Sequence, residues 1–127
     1  MNKYILIITD GSESIQSIAH IIKDSMPDYK IKICPADDFK GTDILPAQIF
    51  FIGCEKANPS SFAYLEKMLL HINFASRKCG IFSVNEKAAN YLRKIFKDCE
   101  ASISEPFITD GSVKKSGLNK WIKGIVK

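Results

Sequence analysis

Two stretches of the chain are apolar without interruption, and the other elements can be placed around them. The first is Tyr4-Ile5-Leu6-Ile7-Ile8. A run with no alternation suits a strand covered on both faces, as in a parallel sheet. A polar turn of small and acidic residues follows, Thr9-Asp10-Gly11-Ser12-Glu13-Ser14. Ile15, Ile18, Ala19, Ile22 and Met26 then recur at helical spacing. They predict a helix from Ser12 or Glu13 to Met26, with Ser12 or Ser14 as its cap and Pro27-Asp28 as its stop. Tyr29 to Cys34 alternates strictly and reads as an edge or near-edge strand that Pro35 ends. The polar connector Ala36 to Pro46 has room for one short helix, around Asp37 to Lys40 or Asp43 to Leu45. The second run, Ala47 to Cys54, continuous from Ile49 on, is the other central strand.

After it comes the loop Glu55 to Pro59, and Pro59 opens a helix carrying Phe62, Leu65, Met68, Leu69, Ile72 and Phe74 inward. Cys79 to Val84 is a fourth strand. Asn85 caps the helix Glu86 to Lys97, whose inner face is Ala88, Ala89, Leu92, Ile95 and Phe96. Asp98 to Glu100 forms a turn. Ala101 to Ile108 is a fifth strand, and Pro106 within it marks an edge or a bulge. A second polar turn, Thr109 to Ser112, leads to a closing helix built on Leu118, Trp121, Ile122 and Ile125 or Val126. Strands alternating with helices predict one α/β domain over residues 1–127, a three-layer α/β/α sandwich. Its five-stranded parallel sheet has the expected order 2-1-3-4-5, because strands one and three are the most continuously apolar.

Composition narrows the function without naming it. The 46% hydrophobic and 25% charged fractions are those of a soluble globular protein, and no apolar run approaches a membrane span. The N-terminus enters the first strand at once, without a signal peptide, so a cytoplasmic location is the expectation. The net charge of +4 is mostly dispersed lysine, a solvated surface rather than a nucleic-acid footprint. Cys34, Cys54, Cys79 and Cys99 form no C-x-x-C pair, and His20 and His71 lie in helical patterns, so no metal site is expected. A thiol at Cys54, at the end of strand three, is a candidate nucleophile with no histidine placed to activate it.

The chain resembles the flavodoxin family over nearly its whole length. The resemblance rests on several features: the apolar first strand running into the turn Thr9 to Ser14; strand three ending in Gly53; the lengthy third helix; the fourth strand Gly80-Ile81-Phe82-Ser83; Glu105-Pro106 in strand five; and Leu118-Asn119-Lys120-Trp121 in the closing helix. Flavodoxin with its FMN site is a known example of this strand order. The resemblance implies FMN as cofactor, with electron transfer or flavin-dependent reduction as the activity. It also implies a redox protein partner and a crevice for a small anionic ligand or flavin.

On this resemblance the phosphate falls to Thr9, Asp10, Gly11, Ser12, Glu13 and Ser14. The ring falls to Gly53, Cys54, Asn58, Ser83 and Asn85. Family members hold the phosphate in a turn close to S/T-x-T-G-x-T, and here Gly11-Ser12 stands where Thr-Gly would. Asp10 and Glu13 bring two carboxylates toward a phosphate dianion. The loops Cys54 to Pro59 and Ser83 to Lys87 hold no Trp, Tyr or Phe to stack on a ring. These departures motivate a second expectation, a flavodoxin-fold module that has lost FMN and acts as a partner-binding or regulatory domain. A flavin-independent enzyme using the same crevice is a third.

Overall fold

The computed structural model describes residues 4–38, 47–69, 77–97, 102–109 and 113–126. Several expectations lie outside them: the Asp43 to Leu45 helix, the inward Ile72 and Phe74, the turn at Asp98 to Glu100, and the second polar turn beyond Thr109.

The strands are β1 (Tyr4–Thr9), β2 (Lys30–Pro35), β3 (Ile49–Cys54), β4 (Lys78–Ser83), β5 (Ser102–Ile103) and β6 (Phe107–Ile108). The α-helices are α1 (Glu13–Asp24), α2 (Ala63–Leu69), α3 (Glu86–Ile95) and α4 (Lys115–Val126). Single 3-10 turns lie at Ala36–Asp38 and at Ser60–Phe62, the latter leading into α2. The sheet is parallel throughout, in the order β2-β1-β3-β4-β5, with β6 also paired to β4. This is the expected order with one refinement. The fifth strand is two short segments on one edge, separated at Ser104 to Pro106, because proline cannot donate to the ladder. At the other edge Pro35 is the last residue of β2, beside Thr9, rather than the residue that stops it. Proline is tolerated at an edge for the same reason.

Period-two geometry sends alternate residues of each strand to opposite faces. Leu6, Ile8, Phe50, Ile52, Cys54, Cys79 and Ile81 face one way and pack with Phe62, Leu65, Ala88, Leu92 and Phe96 of the α2 and α3 side. Ile5, Ile7, Phe51 and Phe82 face the other way and pack with Ile15, Ile18, Ile22, Leu118, Ile122 and Ile125 of α1 and α4. Two separate cores on one sheet are what make three layers, and they explain why β1 and β3 needed apolar residues at every position. Each side also has a polar contact of its own. The Tyr91 hydroxyl of α3 donates to Glu66 of α2 at 2.6 Å, and the Trp121 indole of α4 donates to the Glu105 carbonyl at 2.7 Å. No described helix is long and apolar enough to cross a membrane. Among the described residues, every buried side-chain nitrogen or oxygen has a hydrogen-bond partner.

Candidate functional site

The carboxyl ends of β1, β3 and β4 lie side by side, at Thr9, Cys54 and Ser83. The chain leaves β1 through α1 on one face and leaves β3 through α2 on the other. That divergence makes the strand ends the switch point of the sheet, the usual ligand position in such folds. Gly11 turns the chain there with φ +83°, a left-handed conformation that a side chain would strain. Ser12 stands at the N-cap position of α1 but makes no side-chain cap bond, contrary to its expected role. Its hydroxyl is directed instead to Asp10 Oδ1, at 2.6 Å. The first intrahelical bond runs from Gln16 N–H to the Ser12 carbonyl, at 2.9 Å. The N–H groups of Glu13, Ser14 and Ile15 therefore have no partner within the helix, and they carry its partial positive charge.

The turn is held by its own acidic residue. Asp10 Oδ1 accepts from Ser12 N–H at 3.0 Å as well as from the Ser12 hydroxyl, and Oδ2 accepts from Glu55 N–H at 2.7 Å. Thr9 Oγ1 accepts from Gly11 N–H at 3.3 Å and donates to Gln16 Oε1 at 3.2 Å. The Ser14 hydroxyl donates to the Glu55 carboxylate. Glu13 is exposed at the helix start.

Glu55 joins the three loops. Its N–H holds Asp10, its carboxylate holds Ser14, and its carbonyl accepts from Asn85 Nδ2 at 2.8 Å. Asn85 Oδ1 in turn accepts from Ala88 N–H at 2.9 Å, capping α3 as its sequence position predicts. The Ser83 hydroxyl, fully buried, donates to the Cys54 carbonyl at 2.8 Å and accepts from Asn85 N–H at 3.3 Å. Asn85 thus carries both a helix cap and a loop tie. Asn85→Ala is expected to lower the unfolding free energy by about 1–2 kcal/mol, read from urea denaturation, with the far-UV spectrum of the folded state unchanged.

The candidate residues fall into two groups. Thr9, Asp10, Ser12, Ser14, Ser83 and Asn85 are brought into one hydrogen-bond network across the three loops, with Gly11 supplying its turn. Gly53 and Cys54 are wholly buried in β3, and Asn58 is exposed in the loop beyond, at φ 54°. Gly53 has a packing reason to be glycine, since a Cβ there would stand 2.6 Å from Phe82 Cζ. The Cys54 thiol is pushed up from 9.0 to about 12, first by burial and then by the negative charge of Asp10. Glu55 and Gln16 belong to the network and were not singled out by the sequence. The available signal was position, since Glu55 is the first residue past a central strand end. Among the described residues, no group of three or more His, Cys, Asp or Glu could hold a metal ion.

No family model matches the sequence, and no curated protein does. Solved structures do match. A short-chain flavodoxin associated with a PDU bacterial microcompartment superposes with TM-score 0.84 at 16% identity, covering 99% of this chain and 97% of that one. The flavodoxin of Streptococcus pneumonia TIGR4 gives 0.79 at 16% identity, covering 94% of each chain. Oxidised Flavodoxin 2 from Bacillus cereus gives 0.78 at 14% identity, covering 97% and 99%. The fold is flavodoxin-like.

Proposed function

We propose that this chain is a flavodoxin-like protein that holds FMN at the ends of β1, β3 and β4 and works in electron transfer or flavin-dependent reduction. The observation that carries this reading is the start of α1. An uncapped helix N-terminus, preceded by a left-handed glycine, stands at the fold's ligand crevice with the N–H groups of Glu13, Ser14 and Ile15 unclaimed within the helix. Such a donor set fits a phosphate group. The hydroxyls of Thr9, Ser12 and Ser14 are within the same turn. At the ring end the loops offer polar edges, Asn58, Asn85 and the backbone of Cys54 and Glu55, rather than an aromatic wall. Bound FMN would supply the capacity to take up and release electrons. The residues of the chain bind the phosphate, orient the flavin and keep the sheet side of the crevice dry through Cys54 and Ser83. A cytoplasmic setting belongs to the same reading.

The purified protein is expected to show an absorbance band in the blue, or to quench added FMN fluorescence saturably at one flavin per chain. A colourless protein that releases no heat on mixing with FMN refutes the reading. One observation favours a second reading, in which the module has lost FMN and acts by binding or regulating a partner protein. Asp10 and Glu55 already take hydrogen bonds that a phosphate would receive. The same titration separates the two.

A further inference from the structure

We propose that a cavity between the end of α1 and α4 is a second binding site, for a small zwitterion with an apolar body, the chemistry of a free apolar amino acid. This site is separate from the flavin reading and does not depend on it. The connector Ser25 to Tyr29 leads from α1 into β2, whose first residue, Lys30, pairs with Tyr4 at the start of β1. The cavity therefore lies at the amino ends of the strands. The candidate FMN residues lie at the carboxyl ends, about 18 Å away along the 12 residues of α1. The cavity volume is about 280 Å³. That is just below the roughly 300–1,000 Å³ of usual ligand pockets, so it suits one small molecule rather than a nucleotide.

The lining is apolar below and charged at the rim. Met26 ends the apolar stripe of α1, and Ile122 and Val126 continue that of α4, with Tyr29 half-buried against the same core. The Ser25 hydroxyl is already committed to the Ile21 carbonyl, at 2.8 Å. The rim carries two exposed opposite charges from different elements, Asp28 of the connector and Lys123 of α4. They do not pair with each other, and neither side chain has a hydrogen bond or ion pair among the described residues. Asn119, one turn before Lys123, brings an amide that both donates and accepts. A zwitterion answers both charges at once, its ammonium to Asp28 and its carboxylate to Lys123. A ligand of one charge meets one complement and one like charge. An apolar body between the two ends displaces water from the lining beneath.

Three probes separate the two charges: L-phenylalanine, N-acetyl-L-phenylalanine, which keeps only the carboxylate, and L-phenylalanine amide, which keeps only the ammonium. Each is titrated against the full chain, and the amide NMR shifts of Asp28, Tyr29, Asn119 and Lys123 are followed. Phenylalanine is expected to move these amides saturably, with those of Gly11 to Ser14 unmoved, and each analogue to need at least about threefold more. Asp28→Asn and Lys123→Gln change exposed side chains without partners, so both variants keep the fold. Lys123→Gln should weaken phenylalanine and its N-acetyl form by at least about threefold and leave the amide form unchanged. Asp28→Asn should weaken phenylalanine and the amide form and leave the N-acetyl form unchanged. No saturable movement up to about 50 mM phenylalanine overturns the site. Equal midpoints for the three probes, or for wild type and both variants, overturn the zwitterion preference and with it the proposal. Loss of FMN binding in a separate titration bears on the flavin reading alone.

Discussion

Iodoacetamide at pH 7.5 is expected to leave Cys54 of the native protein unmodified while labelling a model thiol readily. Alkylation requires the thiolate. Raising the thiol from 9.0 to about 12 lowers the thiolate fraction near neutral pH by roughly a thousandfold. Both causes are visible in the structure. Cys54 is 0% exposed, on the sheet face that packs against Phe62, Leu65 and Leu92, and Asp10 is the nearby charge that a thiolate would have to face. Mass-spectrometric mapping of the labelled peptides measures the rate. Labelling of Cys54 as fast as a free thiol contradicts this environment and would revive a nucleophilic cysteine at the strand end. The shift also has a consequence for stability. The folded state holds the thiol above its unfolded value, so the contribution is complete below about pH 9 and is lost as pH rises toward 12. Between those limits the wild type should lose stability more steeply than Cys54→Ala.

The sheet was legible because its signals are local. The unbroken runs at Ile5 to Ile8 and Ile49 to Cys54 have no polar face to show water, so they had to be central, and they are. The alternation of Lys30 to Cys34 and the proline at 106 marked the two edges. The candidate site could be read from the sequence only as an expected location. Nothing in Thr9 to Ser14 says whether the Asp10 carboxylate points into the crevice or away from it. That is decided by the Glu55 N–H, which arrives from the end of another strand. The same contact explains why Ser12 reads as a cap in the sequence and does not act as one. A nearby carboxylate is a stronger acceptor for its hydroxyl, and the helix is left open. Gly53 illustrates the converse. A glycine closing a central strand invites a ligand-approach reading, while its neighbour across the sheet supplies a steric reason that sequence spacing cannot show.

Gly53 and Phe82 are cross-strand partners in the β3–β4 register, and Phe51 and Gly80 are another pair two residues back. In each pair the aromatic ring covers the face of the glycine, because a Cβ on Gly53 would press on Phe82 and one on Gly80 would press on Phe51. Phe82→Ala removes a fully buried ring from the α1 and α4 side of the sheet and should cost about 3–5 kcal/mol. Gly53→Ala drives a methyl into that ring and should cost about 1–3 kcal/mol. The two changes are not independent. The methyl of the second occupies space that the first vacates, so the double variant should be less destabilised than the sum by about 1 kcal/mol or more. Urea denaturation of the four proteins measures the coupling, and strict additivity would mean that Gly53 is glycine for another reason. The cycle also reports on the crevice. Residues 53 and 82 immediately precede Cys54 and Ser83, whose backbone and hydroxyl carry the link from β3 to β4. Gly53→Ala alone should therefore disturb the amide resonance of Glu55, and the double variant should restore it toward its wild-type position.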